Sequence, residues 1–169
     1  YLFVANANDN SVSVIDIKKR KLLETLNASL YADAPSGSTS NGVALSADEK
    51  TLYIANADNN CLALFDISNP GFSLSKGFIP TGWYPTSVKV TGNNIYVANG
   101  KGFTSKANPY GPNPVAKREE VNYQAGDKKR PKDVEYIGGL FKGTLSIFPV
   151  PSEKQMSDFS QAVYNNSPY

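Results

Sequence analysis

Apolar residues recur along the chain in short runs, and two of these runs are near copies of each other. Leu2–Ile17 reads LFVANANDNSVSVIDI and Leu52–Ile67 reads LYIANADNNCLALFDI, with identical residues at seven of 16 positions. In both runs, stretches rich in β-branched and aromatic residues flank a turn of Asn and Asp, which tolerate the positive φ of tight turns. The pattern predicts two β-hairpins, with Leu2–Asn6 pairing antiparallel with Val12–Asp16 and the second run pairing in the same way.

A third hairpin is split by a long insertion. Its halves read IYVAN at Ile95–Asn99 and TLSIF at Thr144–Phe148, and residues 100–142 lie between them. Because both halves keep the repeat pattern, we expect them to pair despite the insertion. Unstructured loops of this length are uncommon in compact domains and are often functional.

Further strand-like segments flank the hairpins. Gly42–Ser46 and Thr86–Val90 precede a hairpin, whereas Lys21–Leu26 and Gly77–Gly82 follow one. Four short strands in roughly 40–45 residues is the size of one propeller blade. The apolar runs are nearly continuous, as expected where neighbouring blades cover both faces of a strand. The predicted fold is all-β: a β-propeller fragment of about three four-stranded blades, with a loop insertion in the last blade and a short C-terminal helix.

The predicted blades span residues 1–27, 42–82 and 85–151, with the insertion at 100–142 in the last of them. Closure of a propeller takes roughly four to eight blades. The chain is therefore expected to be part of a longer protein, with the remaining blades supplied by that protein or by another chain. Residues 152–169 are interpreted as a helical tail or linker towards a downstream domain.

The tail has the signals of a helix start. Ser152 and Gln155 form an S-x-x-Q capping box, and an apolar stripe follows at helical spacing. The stripe consists of Met156, Phe159 and Val163. We predict a helix over Glu153–Tyr164 that lies against the propeller or leads into the next domain.

Equivalent strand positions across the repeats give a predicted core. It consists of Val4, Val14, Val43, Leu45, Ile54, Leu64, Val88, Val97, Leu145 and Ile147. Cys61, which opens a strand, is predicted to be a small buried apolar residue.

LYIANADNN and IYVANG, each preceded by a GVALS-like or PTSV segment, resemble the YVTN repeats of bacterial and archaeal surface-layer propellers. The resemblance covers Tyr1–Ile79 and resumes at Tyr84. It implies a propeller fold, whereas propellers host unrelated activities.

A second resemblance covers Gly82–Tyr169. GWYPTSVKV, IYVANGKG, GPNP, YIGGLFKGTLSIFPVP and VYNNSPY are similar to segments of a bacterial two-domain family in which such a propeller precedes an alkaline-phosphatase-like phosphoesterase domain. The resemblance implies that the phosphoesterase, with its metal ligands and nucleophile, would follow Tyr169. It also implies a periplasmic, cell-surface or secreted location.

The composition excludes several kinds of binding and catalytic site. Seventeen basic and 15 acidic residues give a net charge of +2, which argues against a nucleic-acid surface. The sequence has one cysteine and no histidine, which excludes an internal disulfide, a His-based zinc site and a Ser-His-Asp triad. No run is apolar enough to span a bilayer. No catalytic residue, metal ligand or cofactor is predicted.

The candidate binding residues lie at a blade junction and in the insertion. Trp83 and Tyr84 precede Pro85 and could form an aromatic ligand platform or pack between blades. The insertion could be a solvated loop, a flap over the propeller mouth, a pad against another domain or, least in keeping with its mixed charges, a nucleic-acid arm. The predicted binding residues are Trp83, Tyr84, Asn99, Lys101, Tyr110, Lys117 and Arg118.

Three functions remain open at this point. The first is a non-catalytic extracytoplasmic scaffold for protein or ligand binding, possibly attached to a phosphoesterase domain. The second is a propeller enzyme of the lactonase type, which would use carboxylates and basic groups around the central channel. The third is a surface-layer or adhesion repeat protein.

Overall fold

The computed structural model describes residues 1–102 and 142–167, which form ten strands, a short 3-10 turn at Ala7–Asp9 and one α-helix. The strands are β1 (Leu2–Asn6), β2 (Ser11–Asp16), β3 (Lys21–Asn27), β4 (Ser40–Leu45), β5 (Thr51–Asn56), β6 (Cys61–Asp66), β7 (Leu74–Pro80), β8 (Pro85–Thr91), β9 (Asn94–Asn99) and β10 (Thr144–Pro149). The helix α1 spans Glu153–Asn166.

The strands form three antiparallel sheets, in the orders β1-β2-β3, β4-β5-β6-β7 and β8-β9-β10. We call them the first, middle and third sheets. All three predicted hairpins are confirmed: Asn6 lies opposite Ser11, Asn56 opposite Cys61, and Asn99 opposite Thr144. The predicted partial β-propeller is thus confirmed, with four strands described in the middle sheet and three in each of the others.

The middle sheet is buried on both faces. On one side, Ile54 and Ala63 pack with Val12 and Val14 of the first sheet. On the other side, Tyr53, Leu62 and Leu64 pack with residues of the third sheet, Val88, Ile95 and Val97. The continuous apolar runs of β5 and β6 follow from this double coverage, because neither face of these strands meets water.

The core prediction is partly confirmed. Five of its residues are buried, namely Val14, Ile54, Leu64, Val88 and Val97. Val43 and Leu45 are half-buried against the interface between the first and middle sheets.

The prediction is wrong for three residues: Val4 is 37% exposed, Leu145 61% and Ile147 57%. They belong to the first and third sheets and lie on faces turned away from the middle sheet. In β10 exposure alternates along the strand. Side chains of opposite parity point to opposite faces. Leu145 and Ile147 therefore lie on the opposite face of the third sheet from Val97, which packs against the middle sheet.

Helix α1 packs against β7, at the outer edge of the middle sheet. The predicted capping box between Ser152 and Gln155 is present, and the helix runs two residues beyond the predicted end. Met156 and Val163 are buried, which confirms the predicted stripe. Ser160 Oγ accepts a hydrogen bond from Phe78 N–H at 2.9 Å and so satisfies a donor of this edge strand.

Gly77 makes this contact possible. Its φ is +105°, and a Cβ built on it would lie 2.3 Å from Ser160 Oγ. Any other residue would be strained there and would push the helix away.

One carboxylate links the first and middle sheets. Glu24 of β3 accepts hydrogen bonds from Gly71 N–H at 2.9 Å, Ser73 N–H at 3.1 Å and the Ser73 hydroxyl. Burial raises the pKa of Glu24, but the hydrogen bonds from Ser73 and Gly71 outweigh it and hold the pKa below its ordinary value.

Cys61 is buried as predicted, and burial raises the pKa of its thiol to about 12. No helix among the described residues is long and apolar enough to cross a membrane.

Candidate functional site

Two connections between adjacent sheets have the same backbone arrangement. We call Gly37–Ser40 with Asn56–Asp58 the first junction, and Gly82–Pro85 with Asn99–Lys101 the second junction. In each junction, the connection before the first strand of a sheet is hydrogen-bonded to the turn after the second strand of the same sheet.

The hydrogen bonds of the two junctions correspond one to one. In the first, Ala57 N–H donates to Thr39 O at 3.1 Å and Asp58 N–H donates to Ser38 O at 3.2 Å. In the second, Gly100 N–H donates to Tyr84 O at 2.8 Å, and Lys101 N–H donates to Trp83 O at 3.1 Å. Thr39 and Tyr84 are thus equivalent, as are Asp58 and Lys101.

Both equivalent residues have a left-handed backbone, with φ of 51° at Thr39 and 60° at Tyr84. A β-branched or bulky residue at such φ is strained and persists only where its surroundings fix it. At the second junction, Asn60 Oδ1 accepts a hydrogen bond from Tyr84 N–H at 2.8 Å. Tyr84 is therefore fixed from both neighbouring sheets.

The side chains give the two junctions opposite character. At the first, the Thr39 hydroxyl donates to the Asp58 carboxylate. At the second, the Lys101 ammonium lies 4.5 Å from the centre of the Tyr84 ring, within the range of a cation–π interaction. Trp83, the only tryptophan of the sequence, is 40% exposed. The second junction thus presents an aromatic surface beside a cation.

Asn99 forms the buried floor of the second junction and is only 3% exposed. Its Nδ2 donates to Ser146 Oγ at 2.9 Å and to Thr144 Oγ1 at 3.2 Å. A Cβ built on Gly82 would lie 2.6 Å from Asn99 Nδ2, so the glycine is what allows the connection to lie directly against this amide. Asn99 Oδ1 has no hydrogen-bond partner among the residues described.

Four predicted site residues, Trp83, Tyr84, Asn99 and Lys101, are brought together at the second junction. Tyr110, Lys117 and Arg118 lie outside the described residues. A binding role for any of the seven stays a prediction. Sequence reasoning missed Gly82, Pro85 and Asn60. The repeat aligns Asn60 with Asn10, but the contacts of both side chains with the next connection depend on how the sheets pack.

Residues 1–107 match the family model described as lactonase, 7-bladed beta-propeller. This chain belongs to that lactonase family. The match covers the first and middle sheets and both junctions, so the second junction is part of the family fold. No protein of curated function matches the chain.

Among solved structures, the chain is similar to a putative 6-phosphogluconolactonase from Bacteroides uniformis, with 23% identity and a TM-score of 0.49 over 57% of this chain and 29% of that one. It is also similar to the hydrazine synthase of Kuenenia stuttgartiensis, with 22% identity and a TM-score of 0.47 over 58% of this chain and 25% of that one. A functionally unknown protein from Desulfotomaculum acetoxidans matches at 17% identity and a TM-score of 0.42, over 56% of this chain and 30% of that one. This member of the lactonase family therefore spans less than a third of each of these structures.

The second junction offers a cation, an aromatic surface and an amide, which are groups of the kind that can hold and orient a ligand. Within residues 1–102 and 142–167, no three His, Cys, Asp or Glu side chains are grouped to hold a metal ion.

Proposed function

We propose that this chain is part of a ligand-binding propeller scaffold, which holds a small organic anion at the second junction. The observation that carries the proposal is the Lys101 ammonium over the Tyr84 ring, beside the exposed Trp83. Lys101 would pair with a carboxylate or phosphate, while an indole and a phenol ring offer flat apolar surface to the ligand's carbon skeleton.

The fixed backbone supports this assignment. Tyr84 has a strained φ and is tied by hydrogen bonds to Asn60 and Gly100. A site whose residues are fixed before binding loses less conformational entropy when the ligand arrives.

Trp83 makes the proposal directly testable, since the sequence contains no other tryptophan. Gluconate is titrated into the chain and Trp83 fluorescence is followed, with glucitol as the matched probe that has the hydroxyls but lacks the carboxylate. We expect saturable quenching by gluconate and a weaker response to glucitol. No saturable response to gluconate, or equal responses to both probes, would contradict anion recognition at this junction.

Family membership favours a second candidate, hydrolysis of a lactone by the complete propeller. Acid release from δ-gluconolactone above the spontaneous rate, followed in the presence of the complete propeller, tests it. Gluconate binding without faster acid release would leave the scaffold as the function of these blades.

The family is seven-bladed, whereas the described residues form three sheets. Exposed apolar side chains lie on the outer faces of the first and third sheets, among them Leu2, Leu22, Leu145 and Ile147. We propose that further blades, from the parent protein or another chain, cover these faces.

We also propose that the chain belongs to a YVTN-type propeller of an extracytoplasmic protein, and that this propeller precedes a phosphoesterase domain. The surface-layer or adhesion role remains its alternative. Reading the gene beyond the codon for Tyr169 separates them, because a metallophosphatase motif supports the first and further repeats support the second.

A further inference from the structure

The strand-end asparagines of the three sheets occupy equivalent positions but differ in their hydrogen bonds. Asn6 and Asn99 each donate from Nδ2 to two hydroxyls of the next strand. Asn56 lies opposite Cys61, which offers no hydroxyl, and its Nδ2 donates instead to Ala28 O at 2.6 Å.

The Oδ1 atoms of the two buried asparagines differ more sharply. Asn56 Oδ1 accepts a hydrogen bond from the Ser40 hydroxyl at 2.7 Å, within the buried interior. Asn99 Oδ1 is also buried and has no partner in the described part of the chain. A buried acceptor without a donor is costly, so it calls for a specific explanation.

The missing donor has a cause in the sequence. Ser40 lies opposite Asn56 in the middle sheet, and Pro85 lies opposite Asn99 at the same register position of the third sheet. Both strands have an irregularity directly after that residue, which confirms the correspondence. Proline has neither a hydroxyl nor an N–H, so the exchange removes the internal donor.

The orphan acceptor lies within the proposed binding site. Pro85 follows Trp83 and Tyr84, Asn99 precedes the Gly100–Lys101 turn, and the amide of Asn99 lies against Gly82. The first junction, where the acceptor is satisfied internally, has neither the aromatic pair nor the cation. Loss of the internal donor thus coincides with gain of ligand-binding groups.

We infer that Asn99 Oδ1 is a specificity-determining acceptor, which receives a hydrogen bond from a hydroxyl of the bound anion. The inference rests on the proposed function and adds to it the ligand class: a hydroxyl-bearing carboxylate rather than a simple aliphatic one. Oδ1 is covered in the structure, so the inference requires that the connection at Gly82 and Trp83, to which Asn60 makes no bond, moves aside when the ligand binds.

Substitutions at Pro85 test the inference without disturbing the bonds that Asn99 makes to β10. Pro85→Ser restores the hydroxyl found at Ser40, whereas Pro85→Ala introduces the same backbone N–H as Pro85→Ser but no side-chain donor. We expect Pro85→Ser to bind gluconate about ten-fold more weakly than Pro85→Ala, the loss of one hydrogen bond. We also expect Pro85→Ser to melt at a higher temperature, because Oδ1 is then satisfied. Hexanoate, which has the carboxylate but no hydroxyl, should bind both variants equally.

The outcomes separate this inference from the proposed function. If the unaltered chain binds neither gluconate nor hexanoate, the proposed function fails and the inference fails with it. If gluconate binds but Pro85→Ser and Pro85→Ala show the same affinity, the anion site stands and Asn99 Oδ1 has no part in recognition. If gluconate and hexanoate bind the unaltered chain equally, hydroxyl recognition is likewise overturned.

Discussion

The two junctions share one backbone and carry opposite chemistry. Matching hydrogen bonds hold Thr39 and Tyr84 at positive φ. The first junction pairs Thr39 with Asp58, whereas the second places Lys101 over the ring of Tyr84. In a repeat fold, then, the backbone fixes where side chains stand, and the residues at those positions decide what the surface can bind.

The hydrogen bonds that hold the junctions are also unequal. Asn10 Oδ1 accepts from Gly37 N–H at 2.9 Å and Ser38 N–H at 2.7 Å, and its Nδ2 donates to Pro35 O at 2.9 Å. Within residues 1–102 and 142–167, the side chain of its counterpart Asn60 makes one hydrogen bond, accepted from Tyr84 N–H. At the first junction the asparagine therefore holds three residues of the connection, whereas at the second Asn60 holds Tyr84 and makes no bond to Gly82 or Trp83.

The largest expected effect comes from destabilising the middle sheet, on which both junctions depend. Ile54 is fully buried in the middle sheet, which contributes to each junction. Ile54→Ala should lower the free energy of unfolding by about 2–5 kcal/mol, because it leaves a cavity between packed sheets. Urea denaturation measures the loss. The matched control is Ile147→Ala, which truncates a 57% exposed isoleucine and should stay within about 0.5 kcal/mol. Similar losses in the two variants would contradict the burial pattern.

The hairpins could be predicted because turn chemistry and apolar runs are local signals. The burial of Leu145 and Ile147 could not be predicted correctly, because it depends on which face of β10 meets another sheet. Leu145 and Ile147 alternate with Thr144 and Ser146, so the parity was visible in the sequence, but whether another sheet covers that face was not.

In the candidate site, too, some features follow from local sequence signals and others depend on how the sheets pack. Trp83, Tyr84 and Lys101 were found from residue type and position in the repeat. The bond from Tyr84 N–H to Asn60 joins residues 24 positions apart and depends on how two sheets pack. The exchange of Ser40 for Pro85 was visible in the sequence, but its meaning required the register of both strands.

A second pair of substitutions tests whether the side chain of Asn10 stabilises the first junction more than the side chain of Asn60 stabilises the second. Asn10 and Asn60 have nearly the same φ, 51° and 53°, so alanine causes similar backbone strain at both. Asn10→Ala should lower the free energy of unfolding by about 1–3 kcal/mol more than Asn60→Ala, since it leaves the buried N–H of Ser38 without its partner and removes two part-buried hydrogen bonds. Urea denaturation of the two variants, side by side, measures the difference. Equal losses would mean that the side-chain hydrogen bonds do not distinguish the junctions.

A third, smaller effect concerns the link between the first and middle sheets. Gly77 holds the register position in β7 that Glu24 holds in β3, so no carboxylate stands at this position of the middle sheet. Glu24→Gln should cost about 1 kcal/mol at neutral pH, because the amide cannot accept all three hydrogen bonds and solvent screens part of the effect.

The pH dependence of this loss identifies its source. The folded-state pKa of Glu24 lies below its ordinary value of 4.5, so its stabilising contribution is fully present above that pH. The contribution disappears as the pH falls through the lowered folded-state pKa. Urea denaturation at several pH values should therefore show the difference between the unaltered chain and Glu24→Gln shrinking in acid. A difference that is independent of pH would assign the loss to packing.

The smallest expected effect addresses the charge that separates the junctions. Lys101→Gln removes the cation over Tyr84 and should weaken gluconate binding about three- to ten-fold, a modest effect because the ammonium is exposed to solvent. Asp58→Asn is the matched control, since it neutralises the equivalent residue of the first junction and should leave gluconate affinity unchanged. Trp83 fluorescence measures both. A loss that shrinks at higher salt marks the interaction as electrostatic. If the two substitutions weaken binding alike, gluconate responds to the overall charge of this end of the sheets, and the opposite chemistry of the junctions has no consequence for recognition.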